Sequence, residues 1–340
     1  APANGGANVV GVTAGGAGAN IDLTTTSGNL TLNRAVTAVG DIVYLNAAGS
    51  ILSTSGAGAD VVAASAALLG GTGVGTAGTA IKTDVTTLAA NGGTGNVVVN
   101  ELDSTTHDGL TIGTVSTVVG VTGVSVGLTT QTGNLVQAAP ISATNTVSLN
   151  AVAGGIDQGG YSLTGATNAT LQSYDSIGSA GSHFLTSVTN LAASSTNGGV
   201  FITNTGDVTV ASLAPAFGGA NLNGITAGAG DVQLNGSAGI TINQTISAVG
   251  NTVTVVAGHG ITNTASAGVS DIKATGGLLQ AGLDIGSQVT AVTTDLTTLA
   301  AVSTGGSVFV NELDTTTHDG LTVGTVGGVH GVTGANTALT

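Results

Sequence analysis

The chain lacks the residues that many binding and redox functions require. Its 340 residues contain no Cys, Met or Trp, and the cations are limited to Arg34, Lys82 and Lys273. Without Cys there is no disulfide framework. Three cations cannot form a basic stripe for nucleic acid or a polybasic contact with anionic lipid. We therefore expect no nucleic-acid partner.

Charge and hydropathy exclude further classes of protein. The net charge of −14 predicts an acidic surface, which favours solubility and discourages lateral association. No charged side chain occurs from Leu110 to Ile156, but Thr, Ser, Asn, Gln and Gly interrupt this stretch and Pro140 lies inside it. It therefore does not read as a membrane-spanning helix, and we expect no membrane span.

Small residues dominate what is present. Gly accounts for 58 residues, more than twice the average share of about 7%. Hydrophobic residues, almost all Ala, Val, Leu and Ile, make up 41% of the chain. Disorder combines low hydrophobicity with high net charge, so this composition instead indicates a narrow aliphatic interior that is repeated many times.

A repeat of about 105 residues runs through the chain. Ile51, Ile156 and Ile261 are 105 residues apart and end similar segments, which indicates one structural unit stacked on copies of itself. We expect these isoleucines to form the same rung of an interior ladder, recurring about every five coils. The predicted copies span approximately residues 28–132, 133–237 and 238–340, with 1–27 as the end of a preceding copy, in one continuous solenoid over 1–340.

A second anchor reads DVTTLAA, SVTNLAA and DLTTLAA in the three copies, ending at Ala90, Ala193 and Ala301. Copies one and three are the more similar pair, because an acidic, His-containing segment recurs between them after 211 residues. Neither end carries a distinct polar cap, although solenoids normally need one. This favours a piece of a longer periodic protein over a subunit whose open ends stack on identical neighbours.

The local pattern predicts strands. Apolar residues alternate with period two, as at Val253 and Val255, and Gly, Asn, Asp or Ser interrupt after five to eight residues. The best helix candidates, 61–71 and 272–282, read equally well as strands. We therefore predict an all-β fold, a right-handed parallel β-solenoid (β-helix) with coils of roughly 20 to 25 residues. Three sandwich domains are the less favoured alternative, since no linker is visible.

Several motifs carry a family resemblance. The segments Ile177–Gly178, Leu185–Ala193, Gly199–Asn204, Gly320–Val326 and Asp22–Gly40 together cover the recurring pattern. They resemble the repeats of filamentous-haemagglutinin-like giant bacterial β-solenoid adhesins and their β-strand-repeat relatives. The resemblance implies a secreted or surface-attached bacterial fibre, in adhesion, cell–cell contact or biofilm matrix, and carries over no catalytic residue.

The segment richest in side chains that could bind a metal is NELDSTTHDGL, residues 100–110, which recurs as NELDTTTHDGL at residues 311–321. Carboxylates at close spacing suit Ca²⁺, and a His beside carboxylates suits Zn²⁺. The alternative is a solvated loop, which the fold does not need because copy two has only Asn204–Asp207 there. The candidate metal ligands are Glu101, Asp103, His107, Asp108, Glu312, Asp314, His318 and Asp319.

Other chemistry is disfavoured. The three cations lie in different segments, no G-x-S-x-G elbow is present and no Lys-Ser/Thr follows the glycine-rich stretches, so we expect no enzyme activity and no cofactor beyond Ca²⁺. The predicted function is structural, as an extracellular fibre or adhesin segment at the bacterial cell surface. Expected partners are copies of the chain, end to end or laterally, and cell-surface glycans or neighbouring cells. A self-assembling surface-layer or sheath subunit is the alternative.

Overall fold

The computed structural model describes residues 11–102, 107–264, 269–313 and 320–340. Within these ranges the chain forms strands and turns but no helix, so none of the described segments is a helix that could cross a membrane. The strands build a parallel β-solenoid of about 14 turns, each of about 22 residues. The predicted all-β solenoid is confirmed at this level.

The first of two compact units comprises residues 1–154, 159–161 and 215–219. Most of its strands pair in parallel with a strand about one turn further along the chain, as Val43 does with Ala66. Its strands are β1 (Val12–Ala14), β2 (Ile21–Thr25), β3 (Leu30–Leu32), β4 (Val36–Ala47), β5 (Ser50–Ser53), β6 (Val61–Gly70), β7 (Gly73–Val74), β8 (Ile81–Asp84), β9 (Thr87–Asn91), β10 (Val97–Glu101), β11 (Leu110–Ile112), β12 (Thr114–Val115), β13 (Val118–Val119), β14 (Val121–Gly123), β15 (Val126–Thr130), β16 (Leu135–Gln137), β17 (Ile141–Ala143) and β18 (Thr146–Ala151).

The second unit comprises residues 155–158, 162–214 and 220–340. Its strands are β19 (Ile156–Gln158), β20 (Leu163–Thr164), β21 (Asn168–Ser173), β22 (Phe184–Thr186), β23 (Asn190–Ser195), β24 (Val200–Asn204), β25 (Val208–Val210), β26 (Ser212–Leu213), β27 (Leu222–Asn223), β28 (Ile225–Ala227), β29 (Val232–Gly236), β30 (Ile240–Ile242), β31 (Ile246–Ala257), β32 (Ile261–Asn263), β33 (Ile272–Ala281), β34 (Val292–Ser303), β35 (Val308–Glu312), β36 (Thr322–Val323), β37 (Thr325–Val326), β38 (Val329–His330), β39 (Val332–Thr333) and β40 (Thr337–Leu339).

One turn of the second unit shows how the sequence pattern builds a coil. Strand β29 is followed by β30 and by the start of β31, and β31 then runs on to Val253, which pairs in register with Val232. Val232 and Leu234 point inward and are fully buried, whereas Gln233 between them is partly exposed. Each fully buried aliphatic side chain of this kind contributes about 1.5–3 kcal/mol. Three strand segments therefore complete one turn around an aliphatic interior.

The isoleucines of the 105-residue repeat do not share one ladder. Ile156 lies in a ladder that continues through Ile177, Val200, Val232 and Val253. Ile261 comes eight residues after Val253, on the next strand of the turn, and its ladder partners are Ile240 and Ile285. The repeat therefore advances by four turns and one further strand. The expectation of one rung recurring every five coils is wrong, because the sequence period is not a whole number of turns.

Asn and Asp side chains bond successive coils together at the start of strands. Asn96, directly before β10, accepts a hydrogen bond through Oδ1 from the N–H of Ser125 at 3.0 Å. Asp231, before β29, accepts one from the N–H of Thr252 at 2.9 Å. The same bond recurs at Asn29, Asp207 and Asp284. These contacts satisfy backbone donors at the corners and give a physical reason for the recurring Gly-Asn and Gly-Asp pairs.

Three antiparallel hairpins depart from the coil pattern, namely β12–β13, β26–β27 and β37–β38. Val115 of the first is buried against the outward-facing Ala67 and Ala89. Val326 of the last is buried in the same way against Leu278. The hairpins therefore add a second apolar layer on the outside of the coils, which the sequence pattern alone did not predict.

Candidate functional site

Glu101, the first acidic residue of NELDSTTHDGL, ends β10 and is fully buried. Its carboxylate accepts hydrogen bonds from the hydroxyl of Thr83 at 2.6 Å and from the N–H of Val85 at 2.9 Å. Val85 lies between β8 and β9, outside both strands. A buried donor left without an acceptor costs about 1–3 kcal/mol, so the Glu101 carboxylate stabilises this corner of the coil.

The other copies keep the same contact. Glu312 accepts hydrogen bonds from the hydroxyl of Thr294 at 2.6 Å and from the N–H two residues later at 2.9 Å. Asn204 Oδ1 accepts the matching pair in copy two, from Thr186 and from the N–H two residues later, both at 2.9 Å. The position needs an acceptor oxygen and not a charge. Copy two lacks the acidic loop, as the sequence shows, and its Asn204 keeps this one contact.

His107 pairs with a carboxylate from the preceding coil. Its Nδ1–H donates to Asp84 Oδ1 at 2.7 Å, and both side chains are about nine-tenths buried, with 11% and 10% of their surface exposed. An ionised carboxylate only accepts hydrogen bonds, which places the imidazole proton on Nδ1. The contact ties the acidic segment to the end of β8.

In the third copy a lysine lies against the equivalent carboxylate. Asp295 is fully buried, and Lys273 Nζ lies 3.1 Å from its Oδ2. The Lys273 side chain keeps 32% of its surface exposed, so only the carboxylate of this pair is fully buried. The same aspartate of the DxTTLAA anchor is therefore held by an imidazole in copy one and by an ammonium group in copy three.

The predicted metal ligands are only partly covered by the structure. Asp103, Asp314, His318 and Asp319 lie outside the described residues. Asp108 is exposed and accepts a hydrogen bond from Thr132 Oγ1 at 3.2 Å. No group of three His, Cys, Asp or Glu side chains that could hold a metal ion occurs in the part of the chain that the structure describes. The Ca²⁺ or Zn²⁺ site stays a prediction.

A further buried carboxylate, Asp60, was missed by sequence reasoning. It lies directly before β6 and is fully buried. Its Oδ1 accepts hydrogen bonds from Ser53 Oγ at 2.8 Å and from Ser55 Oγ, and its Oδ2 accepts one from the N–H of Lys82 at 2.8 Å. Both oxygens are therefore satisfied by donors from neighbouring parts of the coil.

Asp271 is the counterpart of Asp60 in copy three, 211 residues later, and is less well satisfied. Its Oδ2 accepts hydrogen bonds from the N–H and the hydroxyl of Thr293, at 2.7 and 2.8 Å. Its Oδ1 is buried and has no hydrogen-bond partner among the described residues. Desolvation outweighs the Thr293 bonds and raises the pKa of Asp271 from 3.8 to about 6. The recurrence of Asp before a ten-residue strand was the signal that could have revealed this pair.

No family model, curated protein or solved structure matches the chain. The resemblance to filamentous-haemagglutinin-like adhesins therefore stays a prediction. The contacts given above assign Glu101, Glu312, Asp60 and Asp295 to backbone support and ion pairing within the coils. The function has to be argued from the solenoid and its surface.

Proposed function

We propose that this chain is a structural segment of an extracellular bacterial fibre or adhesin, wound as a right-handed solenoid. The observation that carries the proposal is the use of the polar residues. The buried acidic side chains described above, and the Asn and Asp residues at the corners, bond one coil to the next, as Glu101 and Asp231 illustrate. Side chains of the types that serve in catalysis or metal binding here hold neighbouring coils together, as is expected of a structural protein.

Stacking also supplies mechanical strength. Strands β31 and β33 pair over nine residue positions, with a register shift between Ala248 and Thr252, and β33 pairs with β34 over nine more. Each net backbone hydrogen bond contributes about 0.5–1.5 kcal/mol, so successive coils separate only if many bonds break together. A chain of this kind bears load without a large hydrophobic centre.

Two of the three basic residues, Lys82 and Lys273, are placed where proteases reach them poorly. Lys82 lies inside β8 and Lys273 inside β33, and both strands are paired to neighbouring coils. Lys82 Nζ donates to the carbonyls of Ser55 and Gly56. This arrangement supports a role outside the cell, where secreted proteases act. We propose the same setting for the partners: copies of the chain, cell-surface glycans or neighbouring cells, and no catalytic turnover.

Localisation on the producing cell tests the proposal. Antibodies raised against the 340-residue chain are applied to intact and to permeabilised cells, followed by immunogold electron microscopy. We expect labelling of intact cells along thin surface fibres. Labelling that appears only after permeabilisation contradicts the proposal, and a continuous two-dimensional lattice supports the surface-layer alternative instead.

A further inference from the structure

The three outer hairpins differ in one respect, the length of their turns. All three close at the base with the same backbone hydrogen bond, for example from the N–H of Gly120 to the carbonyl of Gly113. In copies one and three, two residues join the paired strands. In copy two the loop between Leu213 and Leu222 has eight residues, Ala214 to Asn221. Copy two thus has additional chain at this position.

The tip of that longer loop, residues 215–219, belongs to the first unit. The N–H of Ala216 donates to Ser148 Oγ at 2.6 Å. The backbone N and the Cβ of Phe217 lie 3.2 and 3.3 Å from the point where a Cβ on Gly127 would be. Ser148 is fully buried. Residues 215–219, which include the aromatic Phe217, therefore pack on the outward face of β15 and β18.

Copy one leaves the equivalent surface open. The YLNA segment beginning at Tyr44 matches the SLNA segment beginning at Ser148, and Asp22 pairs with Tyr44 as Gly127 pairs with Ser148. The short hairpin ends at Ser116 and leaves a groove of about 310 Å³. The groove is lined by Asn20, Asp22, Ile42, Tyr44, Ser116 and Thr117. Asp22 is exposed and Tyr44 is partly exposed.

The groove in copy one carries the groups that a peptide backbone needs. The Tyr44 hydroxyl can accept a backbone N–H, as Ser148 Oγ does, and the exposed Asp22 carboxylate is a further acceptor. Because Asp22 stands where Gly127 lets Phe217 approach closely in copy two, a peptide in copy one has to lie further out from the strands. The rings of Tyr44 and an incoming aromatic side chain can bury apolar area together. Ile42, which is partly buried, extends the apolar floor.

We propose that this groove binds an aromatic-containing peptide loop of a partner protein, at the place that corresponds to the one residues 215–219 occupy in copy two. The chain's own loop is already engaged by Ser148, so a partner has to supply the segment. The proposal does not depend on the fibre function. It identifies the residues around Asp22 and Tyr44 as an interaction surface.

The probe is a fluorescein-labelled peptide LAPAFGGAN, the sequence of residues 213–221, titrated with the 340-residue protein and followed by fluorescence anisotropy. We expect saturable binding to one site, and a peptide with Ala in place of Phe should bind at least about tenfold more weakly. Absence of saturation at about 1 mM protein, or equal binding of the Ala peptide, overturns the proposal.

Two loop exchanges locate the site. Grafting residues 214–221 in place of Ser116–Thr117 fills the groove of copy one and should abolish binding. Replacing residues 214–221 with Ser-Thr opens the place in copy two and should add a second site. Tyr44→Ala, with circular dichroism as the check of folding, provides a variant that keeps the backbone intact and should weaken binding about tenfold. Binding that is unchanged by the graft or by Tyr44→Ala overturns the assignment.

Discussion

Replacing Asp271 with Asn should stabilise the protein at neutral pH and leave it unchanged in acid. The carboxyl of Asp271 has a pKa of about 6 in the folded state, above its ordinary 3.8, because burial disfavours the charge. Between these pH values the folded state binds more protons than the unfolded state. Stability from this group is therefore fully present below pH 3.8 and is lost as the pH rises through 6.

The magnitude follows from the size of the shift. One pKa unit corresponds to about 1.4 kcal/mol, so the shift of about two units sets an upper limit of about 3 kcal/mol at pH 7. Solvent screening reduces this to on the order of 2 kcal/mol. Asn removes the charge and keeps an oxygen that can accept a hydrogen bond from the N–H of Thr293. The Asp271 carboxylate accepts this bond at 2.7 Å.

The assay is guanidinium unfolding followed by circular dichroism for wild type and Asp271→Asn at pH values from about 4 to 8. The difference between the two proteins should be near zero at pH 4 and should favour the variant increasingly up to pH 7. Asp60→Asn is the matched control: Asp60 accepts hydroxyl bonds from Ser53 and Ser55 on the oxygen that Asp271 leaves without a partner, so no gain is expected. A variant that is equally destabilised at both pH values would refute the reasoning.

Three further outcomes follow from the contacts of the coils. Glu101→Gln should lower the free energy of unfolding, obtained from the unfolding midpoint, by less than about 1 kcal/mol, since copy two already uses an amide there. Glu101→Ala should lower it by about 2–3 kcal/mol. Trypsin should cleave folded protein first after the exposed Arg34, located by mass spectrometry, while Lys82 and Lys273 inside paired strands stay intact. Ser116→Gly should raise the free energy of unfolding by about 1 kcal/mol, seen as a higher melting temperature. Ser116 has a φ of 55°, a backbone conformation that glycine adopts with less strain than serine.

Each of these has a result that counts against it. Equal losses from the Gln and Ala variants at Glu101 would show that the carboxylate charge matters. Early tryptic fragments ending at Lys82 or Lys273 would show that those strands open locally. A Ser116→Gly variant that melts lower than wild type would show that the serine side chain contributes more than its backbone strain costs.

The strand pattern was predictable from sequence because it is local. Val232 and Leu234 point to one face of their strand and Gln233 between them points to the other, whatever the strand packs against. The ambiguous segments 61–71 and 272–282 illustrate the limit of that signal. They contain Ala and Leu runs that suit a helix, and pairing with neighbouring coils makes them the strands Val61–Gly70 and Ile272–Ala281.

The roles of the acidic residues were not predictable, because they depend on contacts between distant parts of the chain. Glu101 reads as a metal ligand when it stands beside Asp103 and His107 in the sequence. In the fold its carboxylate is held by donors 16 and 18 residues earlier. Asp271 recurs with Asp60 in the sequence, but its raised pKa comes from burial in the fold.

The sequence by itself determined that this is a repetitive all-β chain, since composition and a period-two pattern are properties of neighbouring residues. Tertiary structure alone decided the register of the coils. Ile156 and Ile261 look equivalent in sequence, yet they lie in different ladders because a turn of about 22 residues does not divide a repeat of about 105. The numbers of residues in the corners and hairpins determine the length of each turn. That length fixes the register only when one coil stacks on another.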